Sequence, residues 1–74
     1  RTDYPGKEIA IKTQYVWDQQ FNSKINAVYG NEWNAGNLSY HLKSRPIWEG
    51  LVEREKLDQL KDYMCLDNVC IGSK

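Results

Sequence analysis

The 74-residue sequence is poor in the residue types that mark several large classes of protein. One histidine and two cysteines are too few for a zinc pattern, so we expect no metal centre and no cofactor. No apolar run reaches the length of about 18 residues that a membrane-spanning helix needs. Internal repeats, low-complexity segments and a linker are also missing. The sequence therefore predicts one small domain over residues 1–74, with tails at 1–7 and 66–74.

Net charge is the second feature that the chain lacks. Ten basic side chains balance ten acidic ones, so no global field steers the protein towards nucleic acid. The charge is unevenly distributed, because residues 35–48 carry Lys43 and Arg45 and no acid, whereas residues 49–74 carry two more acids than bases. This local excess of positive charge favours an anion contact within residues 35–48.

No catalytic constellation is visible. His41 is the only histidine, and Ser39, two residues away, would lie on a different face of the same helix, so no nucleophile–base pair forms. The carboxylates of residues 53–67 are most simply a solvated face, and a glycine-rich phosphate loop is missing. We predict that the protein is not an enzyme.

The first half of the chain shows two overlapping periodicities. Alternating apolar residues favour a short strand at 8–12, after a turn at residues 4–7. A helix is predicted to begin between Thr13 and Asp18, to run to Tyr29 and to end at Gly30. Its apolar stripe, predicted to be core, consists of Trp17, Phe21, Ile25 and Val28.

A second helix is predicted over residues 35–44. Asn34 suits its N-cap, and Pro46 disfavours helical backbone at Arg45. A small β-hairpin at 46–52 and a helix at about 53–64 follow. These elements predict a mostly α domain with a short β-hairpin, in a helix-turn-helix-like arrangement.

The 35–44 helix has two chemically different faces. Leu38 and Leu42 form a narrow apolar stripe, and a polar face carries hydrogen-bonding groups at positions i, i+3, i+4 and i+7. That polar face consists of Asn37, Tyr40, His41 and Ser44. Amide, phenol, imidazole and hydroxyl groups on one helix face are suited to contacts with base edges in the major groove.

Residues 37–45, followed by Gly50-Leu51-Val52-Glu53-Arg54-Glu55, resemble the helix-turn-helix modules of phage proteins and homing endonucleases. The same stretch is similar to the recognition helix and first wing strand of small winged-helix repressors. The resemblance covers residues 36–55 and implies an intracellular protein that binds double-stranded DNA. It implies base-edge contacts from Asn37, Tyr40, His41 and Ser44, and phosphate contacts from Ser39, Lys43 and Arg45.

The alternative hypothesis is a small secreted or virion-type domain that binds or inhibits another protein. A disulfide between Cys65 and Cys70 would indicate an oxidising compartment, although two free thiols are equally compatible with the sequence. Trp33 and Trp48 would then be the interface anchors. Asn37-Leu38-Ser39 is formally a glycosylation acceptor, and a sugar there would block the proposed DNA-binding face. The first residue, Arg1, suggests a processed product or a piece of a longer protein.

Overall fold

A computed structural model describes residues 6–66 and 68–74. The described residues form three helices and a four-stranded sheet. The helices are α1 (Gly6–Gln20), α2 (Glu32–His41) and α3 (Arg54–Leu57). The strands are β1 (Ala27–Tyr29), β2 (Ile47–Trp48), β3 (Asp62–Leu66) and β4 (Val69–Ser73).

The sheet has the strand order β2-β1-β4-β3. Strands β1 and β2 are parallel, with Val28 opposite Trp48, and α2 makes the crossover between them. Strand β4 runs antiparallel to both of its neighbours, so that Ile71 is opposite Val28 on one side and Met64 on the other. The last strand of the chain therefore lies in the interior of the sheet, and β2 and β3 form its edges.

Side chains on the two sides of the sheet belong to two separate core clusters. The larger cluster joins α1 and α2 to the sheet and includes the buried Trp17, Val28, Leu38 and Ile71. The indole Nε1 of Trp17 donates to the carbonyl of Ser23 at 2.7 Å, which satisfies the polar atom of this buried ring. The smaller cluster contains Ala27, Tyr29, Leu57 and Cys70, with Leu60 packed against it.

The predicted fold class, mostly α with a short hairpin, is wrong, because the described residues form a mixed α/β structure. The predicted strand at 8–12 is part of α1. Ala10, Thr13 and Trp17 are buried at helical spacing, whereas the alternating Ile9 and Ile11 are exposed. The predicted turn at 4–7 overlaps α1 at its last two residues, and the remainder of that turn lies outside the described residues.

The helix predicted to run to Tyr29 ends at Gln20 instead. Trp17, Phe21, Ile25 and Val28 do contact one core, but they come from α1, the following loop and β1. All three residues of β1 are buried, which is typical of a central strand and incompatible with a one-sided helix. A strand therefore separates the two helices that were predicted to follow one another directly.

The second half of the chain departs from the prediction in a similar way. Residues 46–52 form no hairpin, because β2 pairs with β1. The helix predicted at about 53–64 is limited to α3, and the predicted 66–74 tail contains the interior strand β4. The pairing of β2 with β1 joins residues that are distant in sequence, which local periodicity does not encode. β3 and β4, in contrast, are neighbours in the chain and pair with each other where the spacing predicted a helix and a tail.

The second helix is displaced by three residues from its predicted range of 35–44. Asn31 is the N-cap, and its side chain accepts a hydrogen bond from the backbone N–H of Asn34 at 2.7 Å. The helix ends at His41, and Leu42 adopts an extended conformation while remaining buried. Arg45 has a left-handed backbone with φ of 48°. Lys43, Ser44 and Arg45 consequently follow the helix and are not part of it.

Candidate functional site

A shallow groove lies on the outer face of α2, opposite the buried Ala35 and Leu38. It is lined by Glu32, Trp33, Gly36, Asn37 and Tyr40. We call this surface the α2 groove. Trp33 and Tyr40 are each 64% exposed, so two large aromatic side chains face solvent at its two ends. Trp33, Gly36 and Tyr40 lie at i, i+3 and i+7, which aligns them along one side of the helix.

Gly36 occupies the centre of the α2 groove. Apart from its two chain neighbours and the backbone of α2, no atom of the described residues lies within 4 Å of a Cβ added there, so packing against other described elements does not require glycine. The residue is helical, so no left-handed conformation requires it either. A glycine in a helix interior costs roughly 0.5–1 kcal/mol relative to alanine. What its missing side chain provides is free space between two exposed aromatic rings.

The C-terminal end of the α2 groove is cationic and aromatic. The guanidinium carbon of Arg45 lies 5.0 Å from the ring centroid of Tyr40, in a cation–π contact. The His41 ring packs edge-on against Tyr40, with the ring centroids 5.0 Å apart. The left-handed backbone of Arg45 turns the chain back, so that its charge lies at the level of Tyr40.

The residues predicted to contact DNA divide into two groups. Three of them bond to the backbone of this chain: Asn37 Nδ2 donates to the Trp33 carbonyl at 2.7 Å, Ser44 Oγ to the Ile25 carbonyl at 2.6 Å, and Ser39 Oγ to the Pro46 carbonyl. The other group is Tyr40, His41 and Arg45, which cluster together, with Lys43 exposed just beyond the helix. The structure therefore brings together only part of the predicted face.

The open edge of β2 adds apolar surface next to α2. Ile47, Trp48, Leu51 and Val52 are all exposed, with Ile47 and Leu51 about two-thirds accessible. The indole of Trp48 donates to the Gly30 carbonyl at 2.9 Å, which holds the ring beside the start of α2. Because Ile47 and Glu49 donate their backbone N–H groups towards β1, the intervening N–H of Trp48 faces the open edge.

A cleft of about 670 Å³ lies between α1, α2 and the β3–β4 hairpin. Its walls are largely apolar and include Ile9, Val16, Leu66 and Val69, and Lys12 also lines it. The volume lies in the range of small-molecule sites, but the lining residues that the structure describes bring no acid, base or nucleophile pair together. Sequence periodicity did not predict this cleft, because its walls come from elements distant in sequence.

Cys65 and Cys70 form a disulfide that joins opposite positions of β3 and β4. Cys70 is buried in the smaller core cluster, and Cys65 is exposed. The bond links the edge of the sheet to its interior strand.

Among residues 6–66 and 68–74, no group of three or more His, Cys, Asp or Glu side chains is placed to hold a metal ion. None of the described helices combines the length and the apolar character needed to cross a bilayer. Comparison of the chain with models of protein families, with curated proteins and with solved structures found no significant match.

Proposed function

We propose that this chain is a disulfide-stabilised protein-interaction domain that binds a protein partner through the α2 groove. The observation that carries the proposal is the exposure of Trp33 and Tyr40, 64% each, on the two sides of an unfilled Gly36. The groove is open to solvent and faces away from the core, so a partner reaches it without any rearrangement of the fold.

The residue types in and around the groove support a protein partner. Tryptophan, tyrosine and arginine are the residues most enriched among those that dominate binding energy in protein interfaces. Of the three tryptophans only Trp17 is fully buried, whereas Trp33 and Trp48 are exposed. In a chain this short, aromatic area is scarce and most valuable in the core. Its placement on the surface favours a role in recognition.

Of the eleven large hydrophobic residues that are exposed in the described chain, six lie on α2 or in residues 47–52. These two groups are neighbours in the fold, because the Ser39 hydroxyl on α2 donates to the carbonyl of Pro46, the residue just before β2. Contiguous apolar patches of this kind mark interaction sites on soluble domains. The Cys65–Cys70 disulfide favours an oxidising compartment for the protein and its partner.

Selection of peptides from a displayed random library tests this proposal and does not require the identity of the partner. Peptides that bind the folded domain are expected to converge on the α2 groove, since buried aromatic anchors supply most of the energy of such contacts. Binding of the selected peptides should fall at least about tenfold, or about 1.4 kcal/mol, on Trp33→Ala or Tyr40→Ala. Ile11→Ala is the matched control, because Ile11 is 62% exposed on α1.

Convergent peptides that lose affinity on both groove variants and keep it on Ile11→Ala would support the proposal. A library that yields no convergent binder, or binders indifferent to Trp33 and Tyr40, would contradict it.

DNA binding is the second candidate, and one observation favours it. Tyr40 and Arg45 are exposed together at the end of α2, and Lys43 lies exposed between them in sequence. Fluorescence anisotropy with a labelled mixed-sequence duplex at about 50 and 200 mM salt tests it. DNA binding predicts affinity that falls steeply with salt, and a salt slope reduced by about one in Lys43→Ala. No binding at the lower salt concentration would exclude this function for the chain.

A further inference from the structure

We propose that the α2 groove binds a second copy of this chain, with the two α2 helices antiparallel and closest at Gly36. This inference rests on the proposed function, since it names the partner of the same surface. The space at Gly36, the order of charges along α2 and the size of the contact support it.

The space at Gly36 allows two helix backbones to approach closely. Apart from its two chain neighbours and the backbone of α2, no described atom lies within 4 Å of the position that a Cβ would occupy, so no side chain of another described element fills that space. Small residues at a helix crossing permit short interaxial distances. Trp33 and Tyr40 lie three residues before and four residues after this point. In an antiparallel pair, Trp33 of each copy is therefore placed beside Tyr40 of the other.

The charges along the groove are arranged to complement a second copy in the same orientation. Glu32 lies four residues before Gly36, and Tyr40, which carries the Arg45 guanidinium over its ring, lies four residues after it. Antiparallel helices crossing at Gly36 consequently place each Glu32 carboxylate at the level of the other copy's Arg45. A parallel pair would instead put like charges together. The antiparallel helix dipoles also attract each other.

The whole-chain charge permits such self-association. Ten basic and ten acidic side chains leave no net charge to keep two copies apart. The contact covers one face of a ten-residue helix. The surface area that it buries is therefore less than the roughly 800 Å² per partner of a standard stable interface. The structure therefore assigns a weak, reversible dimer. Its dissociation should be observable between about 1 μM and 1 mM protein.

Sedimentation equilibrium over that concentration range is the direct test. The average mass of the wild-type protein should rise from that of the monomer towards that of the dimer as concentration increases. Gly36→Leu should remain monomeric, because its side chain fills the crossing point. Leucine is a better helix former than glycine, and its Cβ meets nothing within the chain, so the variant should stay folded by circular dichroism.

A charge exchange tests the antiparallel arrangement. Glu32→Arg and Arg45→Glu should each be at least about tenfold weaker in self-association, since each brings like charges together at two symmetric places. An equimolar mixture of the two variants should recover dimers, because every pair in the mixed dimer is again opposite in sign. Lys12→Glu makes the same change of charge as Arg45→Glu at a distant place on α1, and should dimerise as the wild type does.

Three results would overturn the inference: a wild-type protein that stays monomeric to about 1 mM, a Gly36→Leu variant that dimerises normally, or a variant mixture that recovers no dimer. The peptide selection remains independent of these outcomes. A monomeric protein whose selected peptides require Trp33 and Tyr40 would refute the dimer and support the proposed function. A dimer that forms equally in Gly36→Leu, together with no peptide preference for the groove, would contradict both.

Discussion

Three polar side chains show how individual residues acquire roles that their spacing does not reveal. The sequence pattern predicts DNA contacts for Ser39 and Ser44, but their hydroxyl groups donate to the carbonyls of Pro46 and Ile25. Asn37 donates to the carbonyl one turn earlier in α2. Serine and asparagine commonly satisfy nearby backbone groups, so their presence on a helix face is weak evidence for a ligand contact.

Ser44→Ala is expected to destabilise the protein. The hydroxyl of Ser44 lies 2.6 Å from the carbonyl oxygen of Ile25, a residue that is only 1% exposed. Its loss leaves that carbonyl without this donor, which should lower the free energy of unfolding by about 1–2 kcal/mol. Urea denaturation measures the change. Lys43→Ala is the neighbouring control and should stay within about 0.5 kcal/mol of the wild type. Equal stability of the two variants would contradict the assigned bond.

Gly36→Ala is expected to have the opposite effect. The added methyl group enters open space, and alanine is the better helix former, so the free energy of unfolding should rise by roughly 0.5–1 kcal/mol. Gly30→Ala is the contrasting variant. Gly30 has φ of 148°, and a Cβ there would lie 2.9 Å from the Asn68 carbonyl oxygen. The midpoint of thermal unfolding should therefore be higher for Gly36→Ala, and lower for Gly30→Ala, than for the wild type. A destabilised Gly36→Ala would refute our account of the groove.

At the scale of elements, the β3–β4 hairpin determines how the end of the chain is held. Cys65 and Cys70 are paired across the two strands, and Leu57 and Leu60 pack over the same face. The disulfide closes a short loop and therefore restricts the unfolded chain in this region only. Its effect is added to a strand pairing that burial of Cys70 and Ile71 already favours.

Removal of the disulfide is expected to lower the free energy of unfolding by roughly 2 kcal/mol, the chain-entropy value for so short a loop. The comparison is between Cys65→Ala/Cys70→Ala and the wild type in guanidinium chloride. A reductant should lower the stability of the wild type and leave the double variant unchanged. A wild type insensitive to complete reduction would show that the hairpin is held by packing alone.

At the scale of the whole molecule, β4 connects the parallel and antiparallel halves of the sheet. Ile71 faces Val28 and Met64 on its two neighbours and is 1% exposed. Ile71→Ala should therefore lower the free energy of unfolding by about 3 kcal/mol, within the range for truncation of a buried isoleucine, and should lower the midpoint of thermal unfolding markedly. Leu66→Ala, on the edge strand at 39% exposure, should cost much less. Similar losses from both would contradict the interior position of β4.

The ends of two strands are also linked by one ion pair. Lys74 Nζ lies 2.5 Å from a carboxylate oxygen of Glu49, and this hydrogen bond is the main reason that the pKa of Lys74 is raised above its ordinary value of 10.5. A raised pKa in the folded state means that the pair contributes its full stability below the unfolded pKa. The contribution disappears as pH rises through the folded pKa.

The expected pH effect is small because the side chain of Lys74 is exposed to solvent. The free energy of unfolding of the wild type should exceed that of Glu49→Gln at neutral pH, and the difference should vanish above the raised pKa of Lys74. Urea denaturation of both proteins across that range measures it. A difference that persists in strong alkali would assign the effect of Glu49 to packing.

The sequence by itself determined the features that depend on neighbouring residues. Leu38 and Leu42 are buried as predicted, and Trp17, Ile25 and Val28 lie in one core. A helix does occupy most of the predicted 35–44 range, since apolar spacing is a local signal, but its N-cap is Asn31 and not the predicted Asn34. The sequence places Trp33 and Tyr40 at i and i+7 around Gly36, on one side of a helix. It does not reveal whether that side is buried or exposed, because this depends on which face of α2 packs against the sheet.

The tertiary structure alone decided the strands and therefore the surface of the molecule. Val28 pairs with Trp48 and Ile71, which are 20 and 43 residues away, and no local periodicity specifies such partners. The local sequence of residues 27–29 is compatible with either a helix or a strand, and pairing with β4 selects the strand. The same long-range pairing ends α1 at Gln20, turns the outer face of α2 to solvent and leaves β2 as an edge. Burial and backbone pairing are properties of the assembled sheet, so the α2 groove became visible only when the sheet was in place.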